Sequence, residues 1–589
     1  MTTPRISLAA CLICLSAVSF ADATSDFATL LDEHWEWHLA SSPLQASMLG
    51  DRRYNDQWTD QSLDAIERRH SDTQAFLRRA YAIQRSDLST ADQLNYELFR
   101  RQLQDDVDRH QFRDYLMPFS HRGGIQTLNN LTSRLRLVTV KDFDDWLARI
   151  SKIDVLVKQT IALAEQGRKT GYMAPKILMQ RIPDQLSLQV VEYATESPLF
   201  SAFENLPESF SAADQERLRA AATDTIQDEV LPAYRKLDRY FHETYLPAAR
   251  ASIGVSELPE GSAYYEYLTR SFTTTHMTPD DIHRLGLEEV KRIRDEMKTI
   301  IAEVEFDGSF QDFLVFLRTD PQFYFDNPED LYEAYLATSK RIDPELVKLF
   351  GILPRMPYGV KPIPDSIAPD TTTAYYSRPA ADGSRAGIYW VNLYRPEVRP
   401  KYEIEVLSVH EAMPGHHLQL SLQQELGDIP NFRRYMGFTA FVEGWGLYSE
   451  GLGYDLGLYK NPYSRFGQLT YDMWRAVRLV VDTGIHHKGW TRQQAIDFFK
   501  DNAAKAEHDI VNEIDRYIGN PGQALAYKIG QLKMLTLRAR AERQLGNEFD
   551  VRAFHDELLG GGALPLDLLE QRMDAWLATA GTSPAADQH

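Results

Sequence analysis

The hydrophobic pattern of the chain is helical over most of its length. From about residue 26 to residue 350, apolar residues recur at spacings of three and four, the period of one face of an α-helix. Prolines interrupt this pattern at intervals, but no interruption is a long Ser/Gly-rich linker and no repeat of fixed period occurs. We therefore expect a mainly α-helical fold that is not divided into small separate domains.

One region departs from this pattern. Residues 371–376 and 387–394 are rich in β-branched and aromatic side chains, and the turn-forming sequence Ala-Asp-Gly-Ser at 381–384 lies between them. This predicts a β-hairpin, whose second strand either accepts an extended peptide as an added strand or only packs within the hairpin. After Pro400 the helical pattern resumes. We expect helices near residues 402–426, 431–455, 464–487, 491–504 and 521–543.

The N-terminus has the pattern of an export signal. A basic residue, Arg5, precedes the apolar run Ile6–Phe20, and small residues suited to signal-peptidase cleavage follow. This run of about 15 residues is shorter than the roughly 20 that a membrane-spanning helix needs, and no later run is long enough. We therefore expect a signal peptide over residues 1–23 and an exported, periplasmic or secreted protein without a transmembrane segment.

The cysteines and the net charge narrow the picture further. Both cysteines, Cys11 and Cys14, lie in the expected signal, so cleavage would leave a chain without thiols or disulfides. Residues 8–11 resemble a lipoprotein box, and lipidation at Cys11 is the alternative, although almost no hydrophobic stretch precedes this cysteine. The net charge of −20 opposes binding to polyphosphate, and we expect no nucleic-acid partner.

Several side chains that can bind a metal or transfer a proton lie close together at residues 410–417, His-Glu-Ala-Met-Pro-Gly-His-His. Imidazole nitrogens and carboxylate oxygens are good zinc ligands, and in the His-Glu-x-x-His motif a helix presents two histidines four residues apart on one face. Here the next histidines follow His410 by six and seven residues. In a straight helix one would face away and the other would lie about 10 Å along the axis. The helix must therefore deviate if two histidines are to share one ion.

Pro414 and Gly415 supply a reason for such a deviation. Proline has no N–H to donate to a preceding carbonyl, and glycine tolerates unusual dihedral angles, so a bulge is expected here. Looping out two residues brings His416 to the place of the usual second histidine, whereas His417 requires three. We therefore prefer His416 as the ligand and keep His417 as the alternative.

A downstream helical segment supplies carboxylates. Glu443 and Glu450 are seven residues apart on one helix face, among largely apolar neighbours. A carboxylate in such surroundings usually needs a positive partner, for which a bound cation is an obvious candidate. We expect Glu443 to ligate the metal, and Glu450 to support a histidine or to have a structural role. The pair His242-Glu243 has no histidine at the following helical positions and lacks this combination.

At these residues the chain resembles the bacterial family catalogued as "domain of unknown function 885", over nearly all of the mature chain. The segments that carry the resemblance are 410–419, 443–450, 478–486 and 521–530. The family is related to helical zinc metallopeptidases. Thimet-type oligopeptidases and angiotensin-converting-type dipeptidases, which are gluzincin-like, are similar in placing a ligand glutamate on the helix after the His-Glu helix, where Glu443 stands. The two-residue insertion before His416 departs from their pattern.

The resemblance implies a large helical metallopeptidase-like body with a small sheet before the metal-binding helix. We expect a signal peptide followed by one hydrolase domain over residues 24–589. Its helical N-terminal half would cover about 24–360, and its metal-site half about 361–589.

The expected mechanism uses one zinc ion. On this interpretation Zn²⁺ is held by His410, His416 and Glu443 and keeps one position open for water. Glu411 takes the water proton during attack on a carbonyl carbon, and the metal polarises that carbonyl.

A developing oxyanion requires a further hydrogen-bond donor. Tyr527 resembles the tyrosines that serve this purpose in the related peptidases, and His486 is a second candidate. The alternative for Tyr527 is a packed aromatic residue with a satisfied hydroxyl. Arg475 and Arg478 could bind a substrate carboxylate, but arginines in helices more often form structural ion pairs.

These residues together predict a zinc-dependent hydrolase, most simply a peptidase acting on short peptides. Two other classes remain open: a non-catalytic peptide-binding protein that keeps the fold, and a metal-free, all-helical glycoside hydrolase with paired carboxylates. Metal content separates the peptidase from the glycosidase. The presence of Glu411 beside His410 argues against a protein that has lost catalysis, because binding alone does not need the base.

Overall fold

A computed structural model describes residues 9–365, 368–380, 383 and 385–580, with side chains from residue 23 onward except that of residue 370. Residues 1–8 and the side chains of residues 9–22, including those of Cys11 and Cys14, lie outside this description, as do the turn residues 381, 382 and 384. Helices make up 69% of the structure, and the three named strands are four or five residues long. The prediction of a mainly α fold with a small sheet is therefore confirmed.

Contacts divide the chain into two compact units, and the first comprises residues 1–252 with residues 430–432. Its α-helices before residue 253 are Ala9–Ser41, Pro43–Met48, Leu63–Ala82, Thr90–His110, Val140–Ile150, Ile153–Thr170, Lys176–Met179, Ile182–Ser187, Ser201–Glu204, Ala212–Thr225, Leu231–Tyr240 and Leu246–Ala248. Two π-helical turns, Ile226–Val230 and Phe241–Tyr245, continue the preceding helices. Each is followed by a Leu-Pro pair, whose proline can donate no backbone hydrogen bond to the turn before it.

The second unit comprises residues 253–429 and 433–589. The α-helices from residue 253 onward are Gly261–Thr273, Pro279–Glu303, Phe310–Thr319, Pro328–Ile342, Ile404–Glu411, His416–Glu425, Asn431–Tyr435, Thr439–Leu452, Pro462–His486, Arg492–Lys500, Glu507–Gly519, Ala526–Leu545, Val551–Gly560 and Leu566–Ala580. All residues proposed for the metal site belong to this unit. Organisation as one large domain stays a prediction. Across the described residues, every helix is too short or too polar to traverse a lipid bilayer.

In the sequence, the three strands of the small sheet come between helices of the second unit. It has the order β1-β3-β2, with β1 at Tyr358–Pro362, β2 at Ala374–Ser377 and β3 at Gly387–Val391. β2 and β3 pair antiparallel and form the predicted hairpin, whereas β1 pairs parallel with β3 and was not predicted. Because β3 is hydrogen-bonded on both sides, the suggestion that a peptide adds to this strand is wrong. The outer edges of the sheet belong to β1 and β2.

The core of the second unit is built around the helix Pro462–His486, called here the central helix. All but three of its 25 residues are buried. The helix Pro279–Glu303 lies against it, with Gly286 at the closest approach. A helix buried on all sides cannot direct its charged residues to solvent, so they need partners within the protein. Asp472, for example, accepts a hydrogen bond of 2.7 Å from Lys528 Nζ.

Candidate metal centre

The helix Ile404–Glu411, called here the His-Glu helix, is separated from the helix His416–Glu425 by a short bulge. The Gly415 N–H donates to the Val409 carbonyl at 2.9 Å, six residues back instead of four. Pro414 has no N–H with which to continue the regular pattern. A Cβ on Gly415 would collide with the Val409 and His410 carbonyl oxygens. The two-residue bulge that these residues predict is therefore present.

The bulge brings His416 to His410 and Glu443. One ligand atom of each of these three residues lies within 4.8 Å of those of the other two. Glu443 Oε2 is 3.4 Å from His416 Nε2 and 3.9 Å from His410 Nε2. Ligand atoms of a tetrahedral zinc ion are about 3.3–3.4 Å apart, given bond lengths of about 2.0–2.1 Å. The donor types suit a zinc ion, and binding one would require the three ligand atoms to move closer together.

His417 faces a different part of the structure. Its Nε2–H donates to the Met356 carbonyl at 3.1 Å, and its Nδ1 accepts from the Tyr376 hydroxyl at 2.7 Å. Burial lowers the pKa of His417 to about 4, so the ring is neutral at ordinary pH. The structure thus separates the two histidines between which the sequence left a choice. His416 lies with His410 and Glu443, and His417 ties its helix to the sheet.

Glu450 is hydrogen-bonded to Nδ1 of His410, the ring nitrogen that faces away from Glu443. Glu450 Oε1 is 2.8 Å from His410 Nδ1 and 3.4 Å from Arg475 Nη2. An Nδ1–H that donates to this carboxylate leaves the Nε2 lone pair directed at Glu443 and His416, as in carboxylate–histidine–metal arrangements. Burial raises the pKa of the Glu450 carboxyl to about 8, an effect that the Arg475 charge opposes.

Gly446 belongs to the site although the sequence analysis did not nominate it. A Cβ on this residue would lie 2.8 Å from Cε1 and 3.0 Å from Nε2 of His410. The helix Thr439–Leu452, called here the glutamate helix, therefore leaves space for the imidazole where any other residue would fill it. A signal was available, because glycine in a helix interior is unfavourable and usually has a packing or functional reason.

Burial and neighbouring charges shift the pKa values of the group in different directions. Burial lowers the pKa of His410 well below its ordinary value, and the charges of His416 and Arg475 add to this effect. Burial acts to raise the pKa of Glu443, but its hydrogen bond to His416 brings that pKa below the ordinary value. Burial raises the pKa of Glu411, opposed by His416 and reinforced by Glu443. His410 is thus neutral and Glu443 ionised, and Glu411 is a better proton acceptor than an exposed glutamate.

Tyr527 lies near Glu443, although 83 residues separate the two in sequence. The glutamate helix and the helix Ala526–Leu545, called here the tyrosine helix, cross closely where Gly444 faces Gly530, three residues after Tyr527. Burial raises the pKa of Tyr527, and the Glu443 charge raises it further. The tyrosine is only partly buried. The Arg478 guanidinium lies over the Tyr527 ring, 4.3 Å from the ring centroid.

His486 is not part of the group. The side chain is fully buried, and both ring nitrogens bond to the backbone at 3.0 Å: Nδ1 accepts from the Val255 N–H, and Nε2 donates to the Tyr517 carbonyl. A histidine whose two nitrogens are used in this way has no donor for an oxyanion. The expectation that His486 is a second oxyanion donor therefore does not agree with its position.

Comparisons with known proteins agree on the fold but name no activity. Residues 43–573 match the family described as "Bacterial protein of unknown function (DUF885)". The structure is similar to that of a protein described as a candidate lipoprotein from Colwellia psychrerythraea, with a TM-score of 0.86 and 28% identity over 96% of this chain and 99% of the other. A candidate lipoprotein of unknown function from Shewanella oneidensis shares the fold, with a TM-score of 0.73 and 17% identity over 93% and 99%. Comparison with curated protein sequences gives no match.

Proposed function

The chain belongs to the DUF885 family of bacterial proteins, and from this premise we propose that it is a zinc-dependent hydrolase that cleaves short peptides. The observation that carries the proposal is the convergence of His410, His416 and Glu443 within 4.8 Å. Glu411 lies beside His410, at the end of the bulged helix. Two nitrogens and one oxygen leave a fourth position open, as in catalytic zinc sites and unlike closed structural ones.

The protein's part in the reaction would begin with metal binding by His410, His416 and Glu443. Bound there, zinc would supply a Lewis acid and would make water acidic enough to be deprotonated near neutral pH. Glu450 keeps the His410 Nε2 lone pair free for this role, because it accepts the hydrogen bond of Nδ1 at 2.8 Å.

Glu411 and Tyr527 would perform the proton transfer and the charge stabilisation. Glu411 accepts the proton of the attacking water and delivers it to the leaving amine, for which its raised pKa suits it. Tyr527 donates a hydrogen bond to the oxygen that becomes negative when the amide carbonyl is attacked. Its partial exposure keeps it accessible to a substrate at Glu443.

Amide hydrolysis is favoured over other reactions by the order of the residues along the chain. A His-Glu helix, a second histidine and a glutamate on a downstream helix are similar to the arrangement of gluzincin-like helical metallopeptidases. A metal-free glycoside hydrolase would need two carboxyls flanking a sugar bond, whereas Glu443 is held 3.4 Å from His416. A peptide-binding protein without catalysis would have no use for the raised pKa of Glu411.

Metal analysis combined with a peptide-library digest tests this proposal. We expect about one zinc per chain, and loss of activity when a chelator removes it. Glu411→Gln should keep the zinc and lose turnover. The matched control is Glu243→Gln, because Glu243 also follows a histidine but is exposed and has no metal group around it.

The outcomes separate the three classes of function. Absence of zinc, or full activity of Glu411→Gln, would contradict the proposal. Zinc binding with peptide binding but no cleavage would indicate a binding protein. Cleavage of glycosides without metal would indicate the glycosidase.

We also infer that the protein is exported. The N-terminal residues have the composition of an export signal, and the two similar proteins are described as candidate lipoproteins. Expression of the full chain in bacteria, followed by mass analysis of its N-terminus, tests this. Cleavage near residue 23 indicates a free protein, lipid on Cys11 indicates an anchored one, and an intact N-terminus would contradict export.

A further inference from the structure

Beside Tyr527, two arginines share one carboxylate. Glu513 Oε2 is 3.1 Å from Arg478 Nη2 and 2.9 Å from Arg516 Nη2, and Arg516 Nε is 3.1 Å from the other oxygen. The Tyr517 hydroxyl donates to the same carboxylate at 2.6 Å. We call Arg478, Glu513, Arg516 and Tyr517 the arginine cluster. Two guanidinium groups and one carboxylate give it an excess of one positive charge.

Arg478 retains an unused hydrogen-bond donor within this cluster. The residue is only 4% exposed, and its Nη1 has no hydrogen-bond partner. Its Nε donates to the Tyr517 hydroxyl at 2.8 Å, and its Nη2 donates to Glu513. A buried N–H without a partner costs free energy, which an anion that accepts from it would recover.

The other buried cations near the site are matched by carboxylates. Arg475 lies 3.4 Å from Glu450, and Lys505 Nζ lies 2.8 Å from Glu403. Each of these pairs brings one cation to one carboxyl group, whereas in the arginine cluster two guanidinium groups share one carboxylate. At Arg478 an unused donor occurs together with this sharing of one carboxylate.

Arg478 is also close to the candidate metal centre. Its guanidinium lies over the Tyr527 ring at 4.3 Å from the centroid. The charge of the nearby Glu443 raises the pKa of Tyr527. Arg475, three residues earlier on the central helix, lies 3.4 Å from Glu450, which is hydrogen-bonded to His410. A substrate group held by Arg478 would therefore lie beside the bond that is cleaved.

We propose that the arginine cluster binds a carboxylate of the substrate, so that the site selects peptides that present a carboxylate close to the scissile bond. This inference rests on the proposed peptidase function. The planar guanidinium of Arg478 matches a carboxylate, and a charge-assisted hydrogen bond of this kind is stronger than a neutral one. The carboxylate is either the C-terminus of the peptide or an acidic side chain, and three probe peptides distinguish the two.

The probes are trialanine, trialanine amide and the amide of Ala-Ala-Glu. Calorimetry with zinc-loaded Glu411→Gln protein measures their binding without cleavage, so the result does not depend on turnover. We expect trialanine to bind about 10- to 100-fold more tightly than its amide. Tight binding of the glutamate-containing amide as well would assign the site to acidic side chains. Equal affinity for all three probes, including no measurable binding of any, would overturn the proposal.

Substitutions of opposite sign then identify the residues. Arg478→Met in the same background should abolish the preference for the free carboxylate. Glu513→Gln removes the only carboxylate of the cluster and should strengthen that preference or leave it intact. A purely structural cluster predicts that both substitutions lower the melting temperature without changing the ratio of affinities. Arg492→Met is the control, because Arg492 also forms an ion pair with a buried carboxylate, that of Asp515, and it should keep the preference.

A failure of this proposal is distinguishable from a failure of the proposed function. If the free carboxylate binds selectively and no peptide is cleaved, the carboxylate site stands and the peptidase proposal fails. If peptides are cleaved with equal preference for acid and amide, the peptidase proposal stands and the carboxylate site fails.

Discussion

Replacing Gly446 by alanine tests the packing behind the His410 imidazole. The new Cβ would lie 2.8 Å from Cε1 and 3.0 Å from Nε2 of His410. Carbon atoms in ordinary contact are about 3.5–4.0 Å apart, so the ring must move by roughly 0.7 Å or more. The ring cannot move freely, because its Nδ1 is hydrogen-bonded at 2.8 Å to Glu450, which is on the same helix as Gly446. A metal site tolerates displacements of only about 0.5 Å, and we expect the zinc affinity to fall by about 10- to 100-fold.

Gly451 on the same helix provides the control. No atom lies within 4 Å of a Cβ added there, so Gly451→Ala should keep its zinc. Both substitutions replace glycine by alanine in a helix, which by itself favours the helix by roughly 1 kcal/mol. Competition with a chromogenic chelator at pH 7 measures the affinities, and melting curves of the metal-free proteins measure folding. Wild-type zinc affinity in Gly446→Ala would refute the assignment of His410 as a ligand, and equal losses in both variants would show that the clash is not the cause.

The remaining predictions concern single residues of the second unit. His416→Ala should remove zinc, whereas His417→Ala should keep it and lower the melting temperature; zinc analysis and melting curves distinguish them, and the reverse result would reassign the ligand. Tyr527→Phe should lower kcat by about 100-fold, or about 2.7 kcal/mol, with little change in KM or zinc content, whereas a normal kcat with a lower melting temperature would mean that the ring only packs. Burial raises the pKa of Asp482 to about 7, so the folded state holds this proton more tightly than the unfolded state. The contribution of Asp482 to the free energy of unfolding should therefore fall by up to about 4 kcal/mol between about pH 4 and pH 7 and stay constant above pH 7. Asp482→Asn should remove this fall in denaturant titrations at pH 5 and pH 8, and an unchanged difference between the two pH values would contradict it.

The histidine part of the site could be predicted because it depends on local backbone chemistry. Pro414 lacks an N–H and Gly415 lacks a side chain, so the size of the bulge followed from two adjacent residues. The position of His416 then followed from helix geometry. The seven-residue spacing of Glu443 and Glu450 likewise required only the period of one helix.

The surroundings of the site could not be predicted in this way, because they depend on contacts between distant segments. The backbone partners of His486 are 231 and 31 residues away in sequence, and no local pattern indicates which way such a ring points. The pairing of β1 with β3 is also non-local. The helix Glu507–Gly519 was also not predicted, although its buried residues Ile510, Ile514, Tyr517 and Ile518 follow a helical period.

The geometry of the candidate centre depends mainly on the glutamate helix. Along one face it carries the proposed ligand Glu443, the space at Gly446 that admits His410, and the carboxylate of Glu450 that orients His410. On a neighbouring face Gly444 contacts Gly530 of the tyrosine helix, which fixes Tyr527 relative to Glu443. The two helices touch backbone to backbone at this point. A site that must hold a ligand and an oxyanion donor in fixed relation gains from such contact, because little reorganisation is then needed during the reaction. The two close glycine contacts therefore account for how the proposed ligand Glu443 and the proposed oxyanion donor Tyr527 are positioned together.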